Sequence, residues 1–311
     1  MIGELLQIFI DNIAPILLIA GVGYLSGRRL RADPAPLGRI IFNILSPALI
    51  FQSLSTSEIE FRELAELVLV MAAFAGIMAS AGYLAARWCT GDQVERASVI
   101  LAAICPNNGN FGLPITSFAF GPTVLARAAV IFIATTLLNN TLGVFVASRG
   151  GRTLRQSLVV VARVPVLHAA ILGLAVNFAG FELPPLLARP VLMLSQAAIP
   201  LMLILLGLQL AQASQVVQPR LVGVGAGLRL LLSPLVSAAL ALLAGLEAPA
   251  AIAVIMQASM PVAVVTIILA TEFELNRQLS LSLILASTLV SPVTLSLLIL
   301  LLSRLAPSLV R

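Results

Sequence analysis

The chain has 311 residues, 60% of them hydrophobic and 10% charged, with a mean hydropathy of +1.09. Soluble domains carry about 25% charged residues, so this composition excludes a soluble enzyme or binding module. The net charge of +5 rests on eighteen arginines and no lysine, scattered through short connectors, which excludes a nucleic-acid surface and points instead to orientation in a bilayer.

Apolar runs of the length that crosses a hydrocarbon core predict ten spans, at 6–25, 40–56, 65–86, 97–119, 128–147, 164–180, 186–210, 221–245, 250–271 and 279–302. The first opens with Glu4 and Asp11 and has no basic leader, so it reads as a span rather than a cleaved signal. In the second, Ser46 and Pro47 match Pro200 of the seventh in depth, marking either a hinge or a packed wall.

The fourth span is written unlike a lipid-facing helix. It runs Cys105, Pro106, Asn107, Asn108, Gly109, Asn110, Phe111, Gly112, Leu113, Pro114. Each proline removes a backbone donor and clashes with the preceding turn, so the helix is expected to unwind across 106–114. Unwound backbone at membrane depth is tolerated only against protein or a water-filled cavity. A half-helix restarting near Gly112 would aim its positive end at the break, which suits a carboxylate. Asn107, Asn108, Gly109, Asn110, Gly112 and Pro114 are therefore candidate substrate-binding residues.

The fifth span adds Thr135, Thr136, Asn139, Asn140 and Thr141, either lining the same cavity or bonding helix to helix. A connector at 149–163 follows, and then His168, the single histidine, which reads as a packed residue. In the eighth span Arg229 would either neutralise a substrate carboxylate or snorkel to the interface. The ninth carries Gln257 and Ser259, further candidate substrate-binding residues, beside Pro261, which marks a second break or a simple kink. The tenth carries Ser287, Thr288, Ser291 and Pro292, whose hydroxyls suit helix packing. Cys89 and Cys105 give neither a disulfide framework nor metal-ligand spacing, and no cofactor motif is present. With no positioned nucleophile and base, the chain does not read as an enzyme.

Arg28, Arg29, Arg31, Arg39, Arg87, Arg96, Arg149, Arg152, Arg155, Arg220 and Arg277 fall on one side of this topology, against Arg62, Arg127, Arg189, Arg304 and Arg311 on the other. The first side is cytoplasmic by the positive-inside rule, which leaves both termini outside the cytoplasm of a multi-pass inner-membrane protein. Pro15, Leu17, Ala20 and Gly23 recur as Pro165, Leu167, Ala170 and Gly173, and Pro106 recurs as Pro261. The expected fold is all-α: ten transmembrane helices in an inverted five-plus-five repeat, 1–148 and 164–311, with broken helices four and nine crossing at the midplane.

The run Asn107–Pro114, with Ser46 and Pro47, Ile199, Pro200 and Gly207, Arg229 before Ser233 and Pro234, and Pro261, resembles the auxin efflux carrier family. The resemblance implies the fold of bile-acid symporters and sodium/proton antiporters, with spans one, two, six and seven as scaffold and the other six as transport domain. It implies an elevator-like carrier of small organic anions, auxin-like or malate- and malonate-like carboxylates, and a homodimer. Gln257 and Ser259 stand where sodium-coupled relatives place a carboxylate, which leaves sodium or proton coupling open. The competing reading is a sodium- or proton-coupled symporter or antiporter of another solute on the same fold.

Overall fold

A computed structural model of the chain describes residues 2–148, 163–212 and 216–305. The connector arginines Arg149, Arg152 and Arg155 and the terminal Arg311 lie outside the described residues. Described secondary structure is helical: α1 (Gly3–Arg29), α2 (Pro34–Ser55), α3 (Phe61–Cys89), α4 (Gln93–Ile104), α5 (Asn108–Ala147), α6 (Pro165–Phe178), α7 (Pro185–Gln212), α8 (Pro219–Leu243), α9 (Ala248–Ala258), α10 (Val265–Glu272) and α11 (Arg277–Leu305). Seven of these, α1, α2, α3, α5, α7, α8 and α11, are long and apolar enough to cross a membrane. The apolar helices α6 and α9 are shorter.

Helix starts follow local chemistry. The Asp33 carboxylate accepts from Ala35 N at 3.0 Å and the Asp92 carboxylate from Val94 N at 2.8 Å, each satisfying a donor that the first turn leaves free. At 40 residues, α5 would stretch about 60 Å if straight, roughly twice a bilayer core. It folds back at Gly121, whose φ of 72° and ψ of −164° are open essentially to glycine alone, with Pro122 next. The loop expected between 119 and 128 is thus a single glycine hinge.

Four prolines share one device, whereas Pro190, Pro200 and Pro292 sit in uninterrupted α-helix. π-Turns at Phe9–Ile13, Ile41–Leu45, Asn108–Gly112 and Leu228–Leu232 each begin six residues before a proline, at Pro15, Pro47, Pro114 and Pro234. The wider i to i−5 register moves the carbonyl with which the pyrrolidine ring would collide, so the chain stays helical where a kink or break was expected. Another π-turn, Asn139–Gly143, is followed by no proline, and nothing in the structure explains it.

Small residues set the tightest helix pair. A Cβ added at Gly23 would overlap the backbone of Ile204, one at Gly207 would overlap Ala20 O, and one at Gly27 would lie 2.7 Å from Ala211 Cβ. Close backbone approach of this kind replaces the hydrophobic drive that helix association lacks in lipid. Next to this pair, α6 lies on α2: Gly173 faces Phe51, and Asn177 Nδ2 donates to Ser55 O at 3.3 Å and to Ser57 O. Large apolar side chains such as Leu18, Leu69, Leu242 and Val293 point outward, as a lipid-facing surface requires. Trp88 and Tyr83 are exposed beside Arg87 at one end of α3, the composition of an interfacial belt.

Replacing Gly207 by Val forces α1 and α7 apart. Overpacking of this kind costs about 1–3 kcal/mol, so a clear fall in the melting temperature of the purified protein is expected, against little change for Gly223→Ala, where a Cβ meets open space.

Candidate functional site

The chain stops being helical beside a proline both between α4 and α5 and between α9 and α10. After Ile104, Cys105 takes φ −106° and ψ 84°, as the residue before a proline prefers. The freed backbone then meets that of the other break. Asn107 N donates to Pro261 O at 2.8 Å, Ala263 N donates to Cys105 O at 2.9 Å, and Pro106 and Val262 form an antiparallel bridge. Val262 N donates to Ser287 Oγ at 3.0 Å, so α11 supports the second break.

The unwound stretch is shorter than the 106–114 expected, because the chain re-enters a helix at Asn108 through the π-turn that tolerates Pro114. The positive end of the second half-helix therefore lies at Asn108, four residues before the predicted Gly112.

A cavity of about 500 Å³ opens at this restart. Pro106, Asn107, Asn108, Gly109 and Asn110 line it together with Thr136, Asn139 and Asn140 of α5. Asn108 Nδ2 donates to Thr135 Oγ1 at 3.0 Å, which fixes that side chain. Asn107 Nδ2, Asn108 Oδ1 and Asn110 Oδ1 are buried with no protein partner, an uncommon and costly state for amide groups unless something else bonds them. Thr136 Oγ1 and Asn140 Nδ2 are committed to the carbonyls of Phe132 and Thr136, at 2.7 and 2.8 Å.

Other sequence candidates lie elsewhere. Gly112, Pro114, Gln257 and Ser259 are buried behind the cavity wall, and none of them lines it. Gln257 Nε2 donates to Thr116 Oγ1 at 3.0 Å and presses on Gly112, locking α9 to α5, while Ser259 Oγ donates to Ile255 O at 2.6 Å. Pro261 supplies the bridging carbonyl. Ser46, Pro47 and Pro200 sit within α2 and α7 away from the lining, and Ser291 Oγ donates to Thr288 O at 2.9 Å within α11. Arg229 is neither a snorkeller nor a cavity residue: it is 0% exposed, in the middle of α8 and turned inward onto α4 and α9.

The lining also includes residues given no role from sequence: Phe42 and Asn43 of α2, Gln209 of α7 and Arg163 with Val164–Val166 at the start of α6. Asn43 and Gln209 are polar side chains within apolar runs, a signal that was available. Arg163 supplies the cavity's charge, and no carboxylate appears among the described lining residues. Among the described residues no group of three His, Cys, Asp or Glu side chains is placed to hold a metal ion.

A second cavity, of about 450 Å³, lies at the other end of the same helices, lined by Gln52, Ser53, Thr123, Arg127, Ser195 and Gln196 among others. Arg127 Nε and Nη2 donate to Glu63 at 2.5 and 2.9 Å. Between the two cavities, Leu45, Ser46, Met202 and Leu205 are buried.

Removing the Ser287 hydroxyl strands the Val262 amide. Ser287→Ala is expected to cost about 1–3 kcal/mol and to lower the melting temperature more than Ser291→Ala, whose hydroxyl bonds only within its own helix. Equal effects would show that the second break does not depend on α11.

The sequence profile of the family described as membrane transport protein matches residues 8–161 and 151–299. An uncharacterized transporter of Methanothermobacter thermautotrophicus is 31% identical over 299 residues, 92% of this chain and 96% of the relative. An uncharacterized transporter of Methanocaldococcus jannaschii is 28% identical over 291 residues, 89% of this chain and 94% of the relative. With the asparagine-rich break and the cavity it lines, these matches establish that the chain belongs to the membrane transport protein family, that of the auxin efflux carriers.

Proposed function

We propose that the protein is a secondary carrier of small organic anions, carboxylates foremost, and that the cavity at the crossing is its substrate site. The observation that carries this reading is the lining: the unpartnered donor Asn107 Nδ2 beside a helix N-terminus, with Arg163 as the charge and no acidic side chain among the described lining residues, while the unpartnered Asn108 Oδ1 and Asn110 Oδ1 can accept only from a substrate hydroxyl or other donor. The first N–H groups of a helix lack intrahelical acceptors and favour an anion. The volume is in the range of small-ligand pockets, roughly 300–1,000 Å³.

Ten crossings accommodate the elements: α4 with α5 up to Gly121 is the fourth, the rest of α5 the fifth, α6 the sixth, and α9 with α10 the ninth. Interrupted segments at the fourth and ninth places suit an inverted five-plus-five repeat. The close packing of α1 on α7 and of α2 on α6 suits a scaffold of spans one, two, six and seven. The remaining spans would form the transport domain. Two cavities at opposite ends of one interface, with buried residues between them, are what alternating access of an elevator type requires. In this reading the protein sits in the inner membrane with both termini outside the cytoplasm, and the Arg163 cavity opens inward.

Malonate, malate and monocarboxylates are expected to raise the melting temperature of the purified protein. Asn107→Ala, Asn110→Ala and Arg163→Gln are each expected to weaken that binding roughly tenfold or more, since a hydrogen bond to a charged group is worth about 1.5–3 kcal/mol. Undiminished binding in all three variants would overturn the site. Stabilisation by sodium with no response to any carboxylate would favour a cation-coupled carrier of another solute. For orientation, an impermeant maleimide on intact cells is expected to label Glu182→Cys and spare Gly91→Cys in a Cys89→Ser background. The reverse pattern would invert the topology.

A further inference from the structure

The carrier reading uses the N-terminal side of the crossing; its C-terminal side holds a different chemistry. α4 and α9 both end here, and a helix C-terminus carries about half a negative elementary charge on its free carbonyls. Two such ends brought together amount to roughly one negative charge in a low-dielectric interior. Convergence of this kind needs a cation.

Arg229 supplies it. Its Nη1 donates to Ala103 O at 2.6 Å and its Nη2 donates to Ala258 O, so one planar fork reaches the last turn of each half-helix. The guanidinium is fully buried, stacks over the Phe74 ring with 5.5 Å to the centroid, and has no carboxylate partner among the described residues. A buried arginine paired only with helix-terminal carbonyls is unusual, because an isolated charge at this depth is expensive unless a matching field surrounds it.

We propose that Arg229 is a built-in cation of the crossing, a positioning residue that occupies the carbonyl oxygens a sodium ion would otherwise coordinate, so that this carrier folds and binds anions without sodium at that point. Sodium and guanidinium compete for the same acceptors: hard cations take backbone carbonyl oxygens, and the fork's N–H groups already hold them. The proposal rests on the carrier reading only for its consequence in transport. The charge-matching argument concerns the fold and is testable with no substrate present.

The test is the melting temperature of the purified protein in sodium chloride against choline chloride at equal ionic strength, without added carboxylate. Wild type is expected to melt at the same temperature in both, and a sodium-specific rise of several degrees overturns the proposal. Arg229→Lys keeps the charge and Arg229→Met keeps most of the volume. The Lys variant is expected to melt several degrees above the Met variant, and the Met variant alone to gain stability from sodium. Equal melting temperatures for Lys and Met would show that packing, not charge, is what Arg229 contributes, and would refute the idea. Should neither variant be recoverable, the wild-type sodium comparison decides. Because no carboxylate enters the measurement, its failure leaves the anion-site assignment untouched, and loss of carboxylate binding in the asparagine variants leaves this one untouched.

Discussion

Two helices that break inside a membrane-spanning fold each leave amides and carbonyls without an intrahelical partner, and each group left unpaired costs several kcal/mol in hydrocarbon. Here the two sets of orphans pair with one another, Asn107 N on Pro261 O and Ala263 N on Cys105 O, in a two-bond antiparallel bridge between otherwise helical segments. The rest of the site depends on that exchange. It consumes the backbone groups nearest the prolines, so the asparagine side chains beyond them are not needed to repair the break. It also couples the two half-helix pairs, since neither can shift along its axis without breaking the bonds to the other.

Charge is arranged around the bridge in two layers. On one side the restarted helix at Asn108 presents its positive end, and Asn107 its unpartnered Nδ2, to a cavity whose lining carries Arg163. On the other, the carbonyl ends of α4 and α9 are held by Arg229. Both layers follow from the same fact, that an interrupted helix creates one terminus of each sign at the point of interruption. In the carrier reading, the side with positive ends is left open for an anion and the side with negative ends is closed by a fixed cation.

The proline- and asparagine-rich run was legible because its residue types have no other use at membrane depth, and Asn107, Asn108, Gly109 and Asn110 were brought to the cavity as their chemistry suggested. Pro261 was legible only by its pairing with Pro106, since one proline in a helix is ordinarily a kink. What escaped was geometry at the scale of one turn. The π-turn ahead of Pro114 shortened the break, an i to i−5 register that composition does not encode. Gln257 is polar and central, but it lies behind the cavity wall and its Nε2 donates to Thr116 across the α9–α5 contact, a pairing of residues 141 apart in sequence. Arg229 resembled an interfacial arginine although the predicted span already held it, because hydropathy does not tell which face of a helix is buried against its neighbours. Arg163 was hidden for a simpler reason: it precedes its helix, and only the fold turns that end of α6 toward the asparagines.

Mutual pairing of the two breaks leaves the Asn107 side-chain N–H and the helix N-terminus at Asn108 free for an anion. An experimental density map of the protein with malonate tests it most directly. Interrupted fourth and ninth segments are expected, with the Asn107 backbone N–H on the Pro261 carbonyl and added density against Asn107 to Asn110. A continuous fourth helix, or malonate density away from those side chains, would contradict it.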